Sequence, residues 1–166
     1  MSKGFLLDTN VLSELMRQQP AAAVLGWFAH HARAAMHTSA MYTSAVNQAE
    51  IFTSFALLPA GKRRTALLDA AEQMFEVDFN ARCLQFNSAA AKNYAVIVAA
   101  RTLQGRPIST EDAQIAAIAQ AAGLTLATRN TKDFDLIDDL LLANPWDDRT
   151  NDDLSSKTSY KVPLAE

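Results

Sequence analysis

One cysteine in 166 residues, Cys83, leaves no internal disulfide to build a fold on and no thiolate cluster for zinc. The three histidines, His30, His31 and His37, sit near the end of an apolar helical stretch without metal-ligand spacing and read as structural or solvated. No apolar run approaches the ~20 residues of a bilayer span. The opening Met1-Ser2-Lys3-Gly4-Phe5 lacks the length and cleavage pattern of a signal peptide. There is no glycine-rich phosphate loop and no Ser/His/Asp order. These absences argue against a disulfide-stapled secreted domain, a zinc module and an integral membrane protein, and a soluble cytoplasmic protein is expected.

What is present is an ordinary apolar content and an uneven charge. Hydrophobic residues make up 49% and charged residues 20%, which suits one domain with a sizeable core. The net charge of −3 averages over two unlike parts. Residues 1–132 carry twelve Lys/Arg against nine Asp/Glu, whereas from Asp133 to Asp153 eight acids face only Arg149. The body therefore permits a polyanionic partner, the more so if some of its acids hold a metal. The domain is placed over residues 1–146, with a polar tail over 147–166 expected to lack fixed structure.

Short apolar runs alternate with helical patterns along the chain. Phe5-Leu6-Leu7 reads as a buried strand ending at Asp8, followed by a helix capped by Thr9 or Asn10. Pro20 suits the first turn of a second helix running through Val24, Leu25, Trp27 and Phe28. Met41 to Val46 has strand character, and Asn47 opens a helix that Pro59 and Gly61 stop. Lys62 to Phe79 reads as one helix, and Cys83 to Phe86 as a brief strand. Asn87 or Ser88 caps a long Ala-rich helix. Ser109 starts another, with Asp112 three residues on in the manner of a capping box, and Gly123 closes it. Leu124 to Thr128 is β-rich, a turn or short helix follows Asn130, and an edge strand is expected near Leu140 to Leu142. This alternation predicts an α/β fold, a mainly parallel sheet covered on both faces.

In such a sheet ligands bind beyond the carboxyl ends of the strands. Asp8 ends the first strand, Glu50 lies in the first turns of the helix after the second, and Asn130 and Asp133 follow the strand at Leu124 to Thr128. Asp112 joins them if the helix it begins returns to the same edge. Clustered carboxylates repel one another and take up protons unless a cation relieves them. A hard divalent ion such as Mg²⁺ or Mn²⁺ suits all-oxygen ligands and can activate water against a phosphoryl group. Each acid alone also has a plainer role: Asp8 and Asp112 as helix-terminal residues, Glu50 and Asp133 as solvated charges.

The wording around these acids adds to the case. Leu6-Leu7-Asp8-Thr9-Asn10-Val11-Leu12-Ser13-Glu14 resembles the opening motif of PIN-domain proteins, especially VapC-type and FitB-type toxins. Ala45-Val46-Asn47-Gln48-Ala49-Glu50-Ile51 resembles their second motif. The segment from Pro107 to Ala117, around Asp112, is similar to the third, and Gly123 to Phe134 to the fourth. The resemblance implies a three-layer α/β/α sandwich, Mg²⁺ or Mn²⁺ at the acidic rim, and endonucleolytic cleavage of RNA. It assigns metal binding to Asp8, Asp112 and Glu50, and a fourth catalytic acid to Asp133, with Asn130 as a neutral oxygen or hydrogen-bond partner. Thr9 and Thr128 become orienting residues, and Arg129 and Lys132, then Arg17 and Arg106, candidates for RNA contact.

The same resemblance implies a homodimer, silenced by a cognate antitoxin that alone meets operator DNA. Leu12, Leu15, Met16, Trp27 and Phe28 could serve that interface or the core. Two other readings stand against the nuclease. A haloacid-dehalogenase-type phosphohydrolase also begins with a strand ending in Asp, but needs a second Asp where Asn10 stands. A catalytically silent PIN fold acting as a binding module is left open by Asn130.

Overall fold

The computed structural model describes residues 4–34 and 41–147. The polar tail beyond 147 and His37 lie outside the described residues. Five strands form one sheet, β1 (Phe5–Leu7), β2 (Met41–Ser44), β3 (Cys83–Leu84), β4 (Thr125–Ala127) and β5 (Leu142–Ala143). They run in the order β3-β2-β1-β4-β5, every pairing parallel. Around them lie α1 (Thr9–Leu15), α2 (Ala22–Ala34), α3 (Ala45–Ala56), α4 (Lys62–Gln73), α5 (Ser88–Leu103), α6 (Thr110–Ala122) and α7 (Thr131–Phe134).

The period-two alternation of a strand explains the three layers. Leu6 of β1 and Leu126 of β4 face one side, where they meet Ile115 and Ile118 of α6 and Ile97 of α5. Leu7 and Ala127, the next residues along, face the other side and meet Val11, Leu12, Val24, Trp27, Ile51 and Phe75. Leu12 and Trp27 are thus core, and Leu15, Met16 and Phe28 pack partly buried against the same cluster. Of the two roles open to these five residues, Leu12 and Trp27 take the core, and Leu15, Met16 and Phe28 keep part of their surface exposed.

Several boundaries differ from the sequence reading, each for a local reason. The cap of α1 is Asp8, not Thr9 or Asn10, because its carboxylate accepts from Thr9 N at 2.8 Å. Strand β2 stops at Ser44, whose hydroxyl accepts from Asn47 N and caps α3, so Asn47 lies inside the helix. The expected helix from Lys62 to Phe79 divides, passing at Met74 into a π-helical turn that ends at Asp78. The wider turn carries Met74, Phe75 and Phe79 into the core. Pro20 precedes α2 rather than opening it, since α2 starts at Ala22. No helix among the described residues is long and apolar enough to cross a membrane.

Candidate active site

Parallel pairing brings the carboxyl ends of β1, β2 and β4 to one edge, and the polar residues that follow them meet there. Asp8 N donates to Ala127 O at 2.9 Å, continuing the ladder one residue past β1 and setting Asp8 beside Thr128. Helix α6 runs back along the sheet before β4, so its first turn, with Asp112, returns to the same edge. The cap Ser109 fixes that turn by accepting from Asp112 N at 3.1 Å, and Gly123 closes the helix in the left-handed conformation.

Asp8 is 5% exposed, and both of its oxygens are engaged. Oδ1 accepts from Thr9 N at 2.8 Å and Asn47 Nδ2 at 3.2 Å; Oδ2 accepts from Thr128 Oγ1 at 2.7 Å and Asn10 Nδ2 at 3.3 Å. Burial pushes this carboxyl above the usual range, and those four donors oppose the shift. Asn10 also accepts from Arg129 N through Oδ1, so its amide ties α1 to the turn after β4. In this position Asn10 is a scaffold group for Asp8.

Asn47 is the buried residue that the sequence reading missed as part of the site. Its Oδ1 accepts from Ser44 Oγ at 2.6 Å, while Nδ2 donates to Asp8 Oδ1 and, at 3.1 Å, to Thr9 Oγ1. Ser44 thereby fixes which way the amide points. A signal was present in the Ser-x-x-Asn spacing, which resembles a capping pair with the side chain of its third residue left free to reach elsewhere.

Glu50 and Asp112 are half-buried. Burial raises the Glu50 carboxyl first, and the negative charges of Asp8, Asp112 and Glu111 raise it further, against a hydrogen bond from Thr9. Asp112 is raised by burial and then by Asp8, Asp133 and Glu111, against a bond from Ser109. Asp8, Glu50 and Asp112 thus feel one another across a single rim, and none of the three pairs with a Lys or Arg among the described residues. Glu111, not singled out in the sequence, adds to the same negative field.

Asp133, in the first turn of α7, is exposed, and its charge reaches Asp112. Asn130 is exposed too, and its N donates to Thr128 Oγ1 at 3.1 Å. Among the described residues no three acids converge to the spacing of a ready-made metal cage. Bare like charges hold each other apart, and a small divalent ion that retains its waters needs only one or two direct carboxylates. The repulsive, uncompensated rim therefore fits such an ion better than a soft-metal site.

The cations near the rim divide into two kinds. Arg129 lies 5.2 Å over the Trp146 ring, and Lys132 is exposed. Arg17 pairs with Glu14 at 3.3 Å and Arg106 with Asp135 at 3.5 Å, so both already have acidic partners. Beside Glu50 opens a groove of about 790 Å³ lined by Val46, Thr53, Leu57, Phe86, Glu111 and Gln114. His31 Nδ1 donates to Trp27 O at 2.8 Å, within its own helix and not toward the acids.

Comparison with known proteins finds relatives across most of the chain. The PIN domain family model matches residues 5–140. The chain is 37% identical over 142 residues to a VapC ribonuclease, Y4jK, of Sinorhizobium fredii, covering 86% of this chain and 97% of that one. It is 37% identical over 143 residues to Toxin FitB of Neisseria gonorrhoeae, covering 86% and 99%. The structure of FitAB bound to a DNA fragment superposes with a TM-score of 0.75 at 36% identity, covering 86% of this chain and 96% of that one.

Proposed function

The chain belongs to the PIN-domain family, and on that premise we propose that it is an endoribonuclease, the toxin of a toxin–antitoxin pair, acting in the cytoplasm. The observation that carries the reading is the rim itself: three carboxylates on separate elements, mutually repelling and without a cationic partner among the described residues, one of them locked at the end of the central strand. The relatives named ribonuclease and toxin each match 86% of this chain.

Asp8 and Asp112 would hold Mg²⁺ or Mn²⁺, with Glu50 completing the set and Asp133 as the fourth acid. When bound, that ion supplies an activated water and screens the charge that develops on the phosphoryl oxygen. Thr128, Thr9 and Asn47 donate to the Asp8 oxygens and fix the orientation of that carboxylate at the rim. Arg129, carried on the residue after Thr128, and Lys132 offer positive charge to the RNA backbone at the edge of an otherwise negative site. Asn130 steadies the turn through its backbone bond to Thr128 and offers a neutral oxygen.

The partners follow from the same reading. A homodimer is silenced by an antitoxin whose segment lies in the groove beside Glu50, where apolar Leu57 and Phe86 flank the acids, and only the antitoxin contacts operator DNA. The test is direct: purified protein should cleave RNA with Mg²⁺ or Mn²⁺ and stop with EDTA. Asp8→Asn should lose more than about a hundredfold in rate, beyond the loss typical of an outer partner of a metal ligand. An Asp8→Asn protein that cuts RNA at the wild-type rate sinks the mechanism. A folded wild type that cuts no RNA yet binds an antitoxin supports the silent binding module instead.

A further inference from the structure

Arg101 stands in the last turn of α5, 4% exposed, and among the described residues it has no carboxylate partner. Its donors go to main-chain carbonyls instead. Nε donates to Arg106 O at 2.8 Å, and Nη1 to Asp133 O at 2.9 Å and Asp135 O at 3.3 Å. Burying a cation is costly unless its hydrogen bonds are met, and a planar fork of donors can meet acceptors on two segments at once.

Those two segments matter. Arg106 lies in the connection that leads into Ser109, the cap of α6, whose first turn presents Asp112. Asp133 and Asp135 belong to α7 and the residue that ends it. One buried guanidinium therefore joins the backbone leading to Asp112 with the backbone that carries Asp133, two acids whose charges already act on each other.

We propose that Arg101 is a positioning residue that sets the separation of the Asp112 and Asp133 carboxylates toward a divalent ion. The proposal rests on the metal-site reading above. A useful contrast is Gln120 of α6, whose Nε2 donates to Asp138 O at 2.7 Å. That bond also ties α6 to the chain after α7, but beyond the acids. A lysine in place of Arg101 keeps the charge and loses the fork.

The experiment measures Mn²⁺ binding to the full chain, by the loss of free-ion paramagnetic signal, together with the melting temperature. Arg101→Met should weaken Mn²⁺ binding roughly ten- to a hundredfold, the range for outer partners of metal ligands. Arg101→Lys should fall between Arg101→Met and wild type. Gln120→Ala should lower the melting temperature and leave Mn²⁺ affinity at the wild-type value. If Arg101→Met melts lower but binds Mn²⁺ like wild type, Arg101 is only a tertiary staple and the proposal is overturned. If Arg101→Met does not fold, Arg101→Lys makes the same comparison against Gln120→Ala. Failure of the underlying reading looks different: wild type would bind no Mn²⁺, or Asp8→Asn would bind it equally well.

Discussion

At the inner end of the rim, Asp8 is buried and accepts hydrogen bonds from four groups on three segments of the chain. At the outer end, Glu50 and Asp112 are half-buried, each with one opposing hydrogen bond and several repelling charges. The difference separates two tasks. A point that must not move is built at the end of a central strand, from short polar side chains packed into the sheet edge. Groups that adjust to an ion are placed on first helical turns, where small shifts cost little. Burial raises all three carboxyl groups; at Asp8 four donors oppose the shift, whereas at the outer acids burial is reinforced by neighbouring negative charges, which favours a proton or a cation.

Removing one donor at the inner end is the sharpest way to break this contrast. Asn47→Ala strips Asp8 and Thr9 of a shared partner and leaves Ser44 Oγ without its acceptor in a closed space. Cleavage should fall roughly ten- to a hundredfold, as for other partners that orient a metal ligand. Unfolding free energy should drop by about 1–3 kcal/mol, the cost of orphaned buried polar groups. Denaturant melts and initial rates check both. A variant that loses stability but retains full activity would mean that Asp8 does not depend on being held.

The outer end should respond in the opposite sense. Glu50 and Asp112 have carboxyl groups raised above their ordinary values of 4.5 and 3.8. For a group raised in the folded state, the associated stability is present below the unfolded value and lost as pH climbs through the folded one. The metal-free protein should therefore lose stability from mildly acidic toward neutral pH on account of these acids. Glu50→Gln or Asp112→Asn should remove that loss, raising the melting temperature at neutral pH by roughly 2–4 °C per kcal/mol relieved, while activity falls. Mn²⁺ should stabilise wild type more at neutral pH than at pH 5. Melting curves across pH, with and without Mn²⁺, test this; an unchanged or lower melting temperature in both variants would show that the outer acids do not strain the fold.

How much of this was legible beforehand depended on whether a residue acts through its own segment. Asp8 could be read because an apolar triplet runs into it, and Asp112 because Ser109 marks a helix start. The alternation of short strands and helices gave the parallel sheet, and with it the edge where those acids gather. Asn47 and Arg101 were not legible as site residues, because their roles lie in tertiary partners. Asn47 looks like a helix opener until Ser44 takes the cap, and an arginine in an Ala-rich helix looks like a solvated charge until carbonyls of another segment close on it. The π-helical turn was hidden for a related reason. Leu67, Leu68, Ala71 and Phe75 keep helical spacing, and the turn widens where Phe75 and Phe79 both enter the core.

The finest distinction concerns the fourth acid, where Asn130 and Asp133 stand three residues apart and both are exposed. Asp133 acts on Asp112 through its charge, whereas Asn130 contributes a backbone bond to Thr128. Asp133→Asn should therefore reduce cleavage by less than about tenfold, below the range for buried orienting partners, and weaken the Mn²⁺ dependence in step. Asn130→Asp in the same protein should restore part of the loss if either position can present a carboxylate to the ion, and the coupling between the two changes measures how far they substitute for each other. Should Asp133→Asn leave the rate untouched while Asn130→Ala cripples it, the neutral amide is the group that completes the rim, and the outer end is held by a hydrogen bond where a charge was expected.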